Sequence, residues 1–418
     1  MGSRSQRGIA ALGVALVLLF TMSVILLFAN RNLIFEQRSA ANHQRATAAL
    51  AAADAGLEWA LARLNDPRRG EESCQPSAVA GLVSARQRWL GNFDAVATSA
   101  RPGCRLVDDG TLLCTCPAAG SGTLAAGDGA RFTLQLATVP TDALAVELHS
   151  AGCINEVADC SGAGDAIART RLLARLLPRP RQLPAAAVTA GGNVTAEPGV
   201  RLLNTDADVL GLALHTAGSA PELSGQIVSL PGTPETAARA TGDPMLLNLA
   251  AADITGQRLL RAYLGADAAS LRELPSTAWL CNAGQPSCAA RANTCADAAA
   301  CGSAARDAAD AGFSLIWVDG AISLDAPLGS ADHPVLLLTS GSFTLRAAGS
   351  FTGLAIGSTP SWTLSGEAGS RLHGGVLAAR DVALLGDLAI SFDAAPLKRM
   401  QRDAGLLVRV AASWRDEF

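Results

Sequence analysis

Residues 9–29 carry no charged side chain, and at about 1.5 Å per helical residue they would span roughly 31 Å, the thickness of a bilayer core. A basic stretch, Arg4-Ser5-Gln6-Arg7-Gly8, leads into them, the charge expected on the cytoplasmic side of a membrane anchor. The run is longer than the apolar core of a removable secretory signal, and Phe28-Ala29-Asn30-Arg31 makes a poor small-x-small cleavage site. A plain signal anchor fits the same charges. On either of these readings the segment sits in a membrane.

The helical pattern continues past the point where lipid would end. Residues 30–64 hold no proline and one glycine, Gly56, and are mostly Ala, Leu, Arg, Gln and Glu, all good helix formers. Leu50, Leu57, Leu61 and Leu64 fall on one face, while Arg31, Arg38 and Arg45 recur at heptad spacing on another. Asn65-Asp66-Pro67 then stops the helix. The pattern predicts one rod over residues 9–66, roughly 85 Å long, with its membrane part at 9–29.

A short basic leader ending in Gly8, followed at once by the apolar helix, resembles the class III signal of type IV pilins. The wording Phe28-Ala29-Asn30-Arg31-Asn32-Leu33 and Ala52-Ala53-Asp54-Ala55-Gly56-Leu57-Glu58-Trp59-Ala60-Leu61 is similar to PilX-type minor pilins and pilus assembly proteins. The likeness covers about residues 4–65, with a looser one in the Gly-rich C-terminal region. It implies a leader over 1–8, cleavage after Gly8 by a prepilin peptidase, and Ile9 as the methylated N-terminus. It also implies an assembly helix, with Gly13, Leu16, Leu19, Phe20 and Phe28 packing on like helices in the filament. The partners implied are the major pilin, other minor pilins, the inner-membrane assembly platform and a pilus-tip adhesin. The location implied is a single-pass inner-membrane protein with a periplasmic head, later carried into the pilus. One departure matters. Major pilins carry a glutamate at the fifth mature position, which here is Gly13. A carboxylate in lipid is costly without a partner, so its absence suits a subunit at a filament tip or in a low-copy initiating complex. A K-like minor pseudopilin of type II secretion also lacks that glutamate, but its large insertion is helix-rich. A membrane-anchored surface adhesin is the other alternative.

With a net charge of -4 and Lys398 as the sole lysine, the chain offers no basic face for nucleic acid. All ten cysteines follow the membrane segment, which reads as disulfides formed in an oxidising compartment. Close spacing favours Cys153 with Cys160, Cys281 with Cys288, and Cys295 with Cys301. Cys114-Thr115-Cys116 is a lone C-x-C, better read as a disulfide to Cys104 through Cys116 than as half a metal site.

The fold expected is α+β. The long helix covers a small antiparallel sheet within residues 67–178, where 131–136, 143–148 and 168–175 alternate with a period of two. Residues 67–103, with Trp89-Leu90, read as a connector near the helix end. A stiff Pro/Arg linker at 179–186 follows. Residues 187–397 then form a Gly-rich β region, in which apolar bursts opening at Phe313, His333, Phe351 and Leu372 repeat with the arithmetic of a short parallel β-solenoid. A twisted antiparallel sandwich is the alternative. Residues 187–230 would supply the first rungs. An insertion at about 235–311 would carry four cysteines and a helix over 244–264. Residues 398–418 read as a tail.

Chemistry is sparse. His43, His149, His215, His333 and His373 show no ligand spacing, although His333 and His373 sit at matching places in two repeats. Gly120-Ser121-Gly122 lacks the lysine of a phosphate loop and reads as a turn, and no G-x-S-x-G elbow occurs. Asp319, Asp325, Asp381 and Asp387 are a pool from which a solenoid could draw paired carboxylates, but they sit beside glycines or at turns, where Asp is favoured for backbone reasons. The chain reads as a non-enzyme that needs no cofactor or metal.

Overall fold

The computed structural model describes residues 6–417 apart from 78, 80, 94–98, 108, 121, 123, 125–128, 155–159, 161–165, 222, 224–225, 252, 254 and 289–293. Most of the expected leader, with Arg4, and Ser121 of the expected glycine turn lie outside the described residues. The first element is one unbroken helix, α1 (Gln6–Asn65), of 60 residues.

Only its upper part is covered. From Ala49 onward one face is buried, with Ala49, Ala53, Leu57, Ala60 and Leu64 packed into a core shared with Phe132, Leu134, Leu148 and Leu172. Those last four come from an antiparallel sheet of β1 (Gly103–Leu106), β2 (Leu112–Thr115), β3 (Arg131–Val139), β4 (Asp142–Cys153) and β5 (Ile167–Leu177). Its order is β2-β1-β3-β4-β5. Small residues set the depth of the contact. A methyl at Gly152 on β4 would fall on the backbone of Ala49 and Ala53, and one at Gly56 would fall on the Ser150 hydroxyl. Helix and strand backbones therefore run almost in touch, which any side chain at these glycines would prevent.

The last stretch of the chain is not a tail. Leu406–Arg409 and Arg415–Glu417 pair antiparallel with β5, Leu407 standing opposite Leu176 and Arg415 opposite Arg171. Residue 398 lies inside the helix Ala394–Asp403. The short apolar run Leu406-Leu407-Val408 is enough to close the sheet edge because α1 covers its inner side, where Leu407 is buried. The Gly-rich region is thus an insertion into the head, entered through the Pro/Arg linker and left through that helix. The linker itself is fastened, with Arg179 N donating to Gln401 O at 2.9 Å and Gln182 N to Tyr263 O at 3.1 Å.

In the Gly-rich region every strand pairing among the described residues is parallel. The longest ladder runs, in space, from Arg239–Thr241 through Leu214–Thr216, Val188–Ala190, the end of Ser361–Ala378, Ser350–Gly357, Val335–Thr339, Leu315–Asp319 and Thr277–Asn282 to Thr294–Cys295. Leu315 stands opposite Leu336, Leu336 opposite Leu354, and Leu354 opposite Gly375, so one face carries apolar side chains in file. Ile316, Leu336, Leu338, Leu354, Ile356 and Val376 are buried in the resulting core. The strands nearest the linker stack beside residues 376–378, near the end of the chain, and not ahead of residue 313. Residues 235–311 are likewise not wholly separate: Arg239–Thr241 and Thr277–Asn282 belong to the sheet, and the helix expected over 244–264 is two, Pro244–Ala251 and Gln257–Leu264. They part at Gly256, whose φ of 75° no continuous helix allows.

One arginine fastens the head to the inserted region. Arg86, buried on α2 (Ala85–Leu90), donates from Nε to Leu64 O at 2.9 Å, and from Nη1 to Arg402 O at 3.0 Å and Gly405 O at 2.9 Å. Its guanidinium faces carbonyls at the C-terminal ends of two helices, where a cation is favoured. Burial pushes its pKa down to about 10, which leaves it charged at neutral pH. Asn65 adds a two-way bond to Leu407, at 2.9 Å and 2.8 Å.

Five disulfides join all ten cysteines. Cys153–Cys160, Cys281–Cys288 and Cys295–Cys301 link near neighbours. The expected Cys104–Cys116 bridge does not form. Cys104 and Cys114 are opposite one another in the β1–β2 hairpin and bond there, which frees Cys116 to reach Cys74 across 42 residues.

Candidate functional site

The feature that calls for a partner is the lower part of α1. Lipid-type side chains favour a helix there because it satisfies every backbone group within the segment. Among the described residues nothing covers them: Leu16, Leu19, Phe20 and Phe28 are 63%, 67%, 70% and 64% exposed. A methyl placed on Gly13 would meet nothing within 4 Å. Gly8 and Ile9 lie in the first turns of the helix, and no acidic residue stands in its first turn. By length and composition this is a helix able to cross a membrane. Between it and the head lies a bare neck of about 20 residues, exposed on all sides. Its polar groups include Arg31, Arg38 and Arg45.

Among the described residues, the clusters of chemistry-bearing side chains are otherwise engaged. Cys281, Cys288 and Asp319 bring three potential metal-ligand atoms within 4.8 Å of one another, but the two sulfurs are bonded to each other and offer no thiolate. Asp319, nearly buried, accepts from Trp317 Nε1 at 2.8 Å, Trp279 Nε1 at 2.9 Å and Arg272 Nη1 at 3.4 Å. Arg272 lies over the Trp279 ring at 4.3 Å from its centre. This carboxylate is a satisfied core group, and its indole partners, 40 and 2 residues away, were not legible in the sequence. Asp325 pairs with Arg306 at 3.0 Å, and Asp381 accepts from Asn193 N at 2.6 Å. Asp319, Asp325 and Asp381 are thus each engaged with a different partner.

The histidines are likewise separate. His215 bonds Asp243 at 2.8 Å; that bond, with the amides of Met245 and Leu246, holds the Asp243 carboxyl below its ordinary range. His149 lies 3.3 Å from Glu147 on the outer sheet face. His333 lines a cleft of about 430 Å³ between head and inserted region, beside Arg399, whose guanidinium bonds Asp332 at 2.7 Å. His333 and His373 are not equivalent after all. Val335, Gly353 and Gly374 align, so extending the register by one residue sets Pro334 in line with His373.

Residues 7–58, from the first turn of α1 to the middle of its buried part, match the family model described as PilX N-terminal. This stretch of the helix is similar to PilX-type pilin N-termini. The match stops short of the sheet and of the whole inserted region. No curated protein matches the chain. Two solved structures show a weak likeness. A glycosylated ice-binding protein (LeIBP) from Arctic yeast is 13% identical over 50% of this chain and 91% of that one, at a TM-score of 0.23. The competence-associated pilin ComZ from Thermus thermophilus is 12% identical over 89% of this chain and 97% of that one, also at 0.23. At such scores neither bears on fold or function. The PilX-type assignment therefore rests on the helix, which is also where the exposed apolar surface lies. It fits a membrane-anchored, pilus-related minor pilin of structural role.

Proposed function

We propose that the protein is a minor pilin that helps to start or to tip a type IV pilus. Residues 9–29 anchor it in the inner membrane, with the head outside. A prepilin peptidase removes the leader after Gly8, and the freed helix then packs with the major pilin and other minor pilins on the inner-membrane assembly platform. The observation that carries this reading is the apolar half of α1, exposed along its described length except at the half-buried Val24, yet continuous with a tightly packed head. Such a rod needs lipid first and other helices afterwards. Gly13 removes the buried carboxylate that a shaft subunit would have to neutralise, which supports a tip or initiating position. The inserted region, its parallel ladders stacked in file, fits a short β-solenoid that presents loops to a tip adhesin or a surface.

Production with and without prepilin peptidase tests the reading. The expected result is a shorter product only with the enzyme, and retained full-length precursor when Gly8 is replaced by a bulky residue. A Gly8 variant that matures normally would overturn it. Deleting the gene separates the nearest alternative: loss of surface pili and twitching supports a pilus role, whereas loss of an exported enzyme from the medium supports a K-like pseudopilin.

A further inference from the structure

One sheet face of the inserted region is open among the described residues. There Arg201–Leu203, the second half of Asp381–Phe392, the middle of Ser361–Ala378 and the start of Ser350–Gly357 run side by side, all parallel. Phe351, Leu372, Ile390 and Leu202 stand in one file across these strands and are buried in the core. The residues on either side of them therefore point outward. One outer file is Ser350, Arg371, Ala389 and Arg201, and the next is Thr352, His373, Ser391 and Leu203. Arg371, His373 and Arg201 are exposed, the other five half-buried, and none of the eight is acidic.

The two arginines differ from others in this region. Arg346 pairs with Glu367, Arg306 with Asp325 and Arg399 with Asp332. Among the described residues Arg201 and Arg371 have no such pair. Carboxylates at the corners of the face are engaged in turns, Glu197 accepting from Gly386 N at 2.6 Å and Asp393 from Ala395 N at 3.0 Å. Asp387, at the corner beside Gly199, leaves the face net positive. Parallel strands lie about 4.8 Å apart, so two strand steps set the bases of Arg371 and Arg201 about 10 Å apart, with Ala389 between them.

We propose that this face binds an acidic polysaccharide, its carboxylates meeting Arg371 and Arg201 and its hydroxyls meeting Ser350, Thr352, Ser391 and the His373 ring. Charge complementarity calls for a polymer with anionic groups at intervals. A peptide that extends the sheet is excluded, because each of these strands already lies between two neighbours and offers no free edge. A nucleic acid would want aromatic side chains for its bases and a longer row of cations for its phosphates, and the face supplies neither. Hydroxyl-bearing rings fit the small residues between the charges. The inference goes beyond the minor-pilin reading and uses neither leader cleavage nor helix packing.

The test uses the full chain in nanodiscs of neutral phospholipid, with short hyaluronan and polygalacturonate oligosaccharides as probes. At least one should bind, more weakly as salt rises. Converting its carboxyls to methyl esters, or replacing Arg201→Ala/Arg371→Ala, should weaken binding at least about tenfold. Arg31→Ala/Arg38→Ala removes the same charge from the long helix and should leave binding unchanged. Both substituted residues of the face are exposed, and unchanged thermal unfolding shows that the variant is folded. Binding of neither probe, equal binding of the esterified form, or binding that survives Arg201→Ala/Arg371→Ala would overturn the proposal. So would an equal loss in the helix variant, or tighter binding of oligothymidylate or anionic phospholipid vesicles through the same two arginines. Failed binding by a chain whose leader is cut normally strikes this inference alone, and failed cleavage with binding intact strikes the minor-pilin reading.

Discussion

The two halves of α1 share one unbroken backbone and almost nothing else. In the lower half Leu16 and Leu19 are largely exposed; in the upper half Leu57 and Leu64 are 2% and 0% exposed. The lower half is apolar all round, which suits lipid or a bundle of like helices. The upper half is apolar along one stripe, and that stripe is met by β3, β4 and β5. A helix can thus be complete in structure and only half complete in burial, and the uncovered half indicates where partners belong.

Substitutions in the two halves should therefore act differently. Leu64→Ala should lower head stability by about 3 kcal/mol through the cavity it leaves, while Leu19→Ala should shift it by less than about 0.5 kcal/mol. Denaturant unfolding of the detergent-solubilised chain, followed at the head tryptophans, checks both, and equal effects would break the contrast. Gly152→Val should cost about 2 to 3 kcal/mol by pushing β4 off the helix backbone, whereas Gly13→Val should leave head unfolding unchanged.

Arg86→Met should cost about 2 kcal/mol, since it strips a charged donor from the carbonyls of Leu64, Arg402 and Gly405. Proteolysis should then begin within 403–417, the strands that close the head. The smallest effect concerns the inserted region. Asp243 has a folded pKa below its ordinary value, so its contribution is present above that value and lost as the pH falls through the lower, folded one. Amide exchange at Met245 and Leu246 should rise only in that acidic window, and His215→Ala should move the rise to higher pH.

The long helix was legible because apolar run, helix formers and terminating proline all agree over residues 9–67. The head strands were legible from their alternation. The parallel ladders were legible in part: bursts at Phe313, His333, Phe351 and Leu372 mark strands that do stack. What sequence order hid was spatial order. Val188–Ala190 lies beside residues 376–378, and Leu406–Arg409 completes a sheet begun some 300 residues earlier, because long-range pairing leaves no local signal in the strands that make it. The Cys74–Cys116 bridge was hidden for the same reason, and Arg86 because a buried arginine facing carbonyls looks like any other in the chain. The exposure of the lower helix needed no structure to find, since it follows from composition.

The most direct test is N-terminal sequencing of the mature protein purified from its native membrane. A chain that begins at Ile9, with the apolar half of α1 retained, is the result predicted. A chain that begins near Asn30, with residues 9–29 discarded, would contradict it.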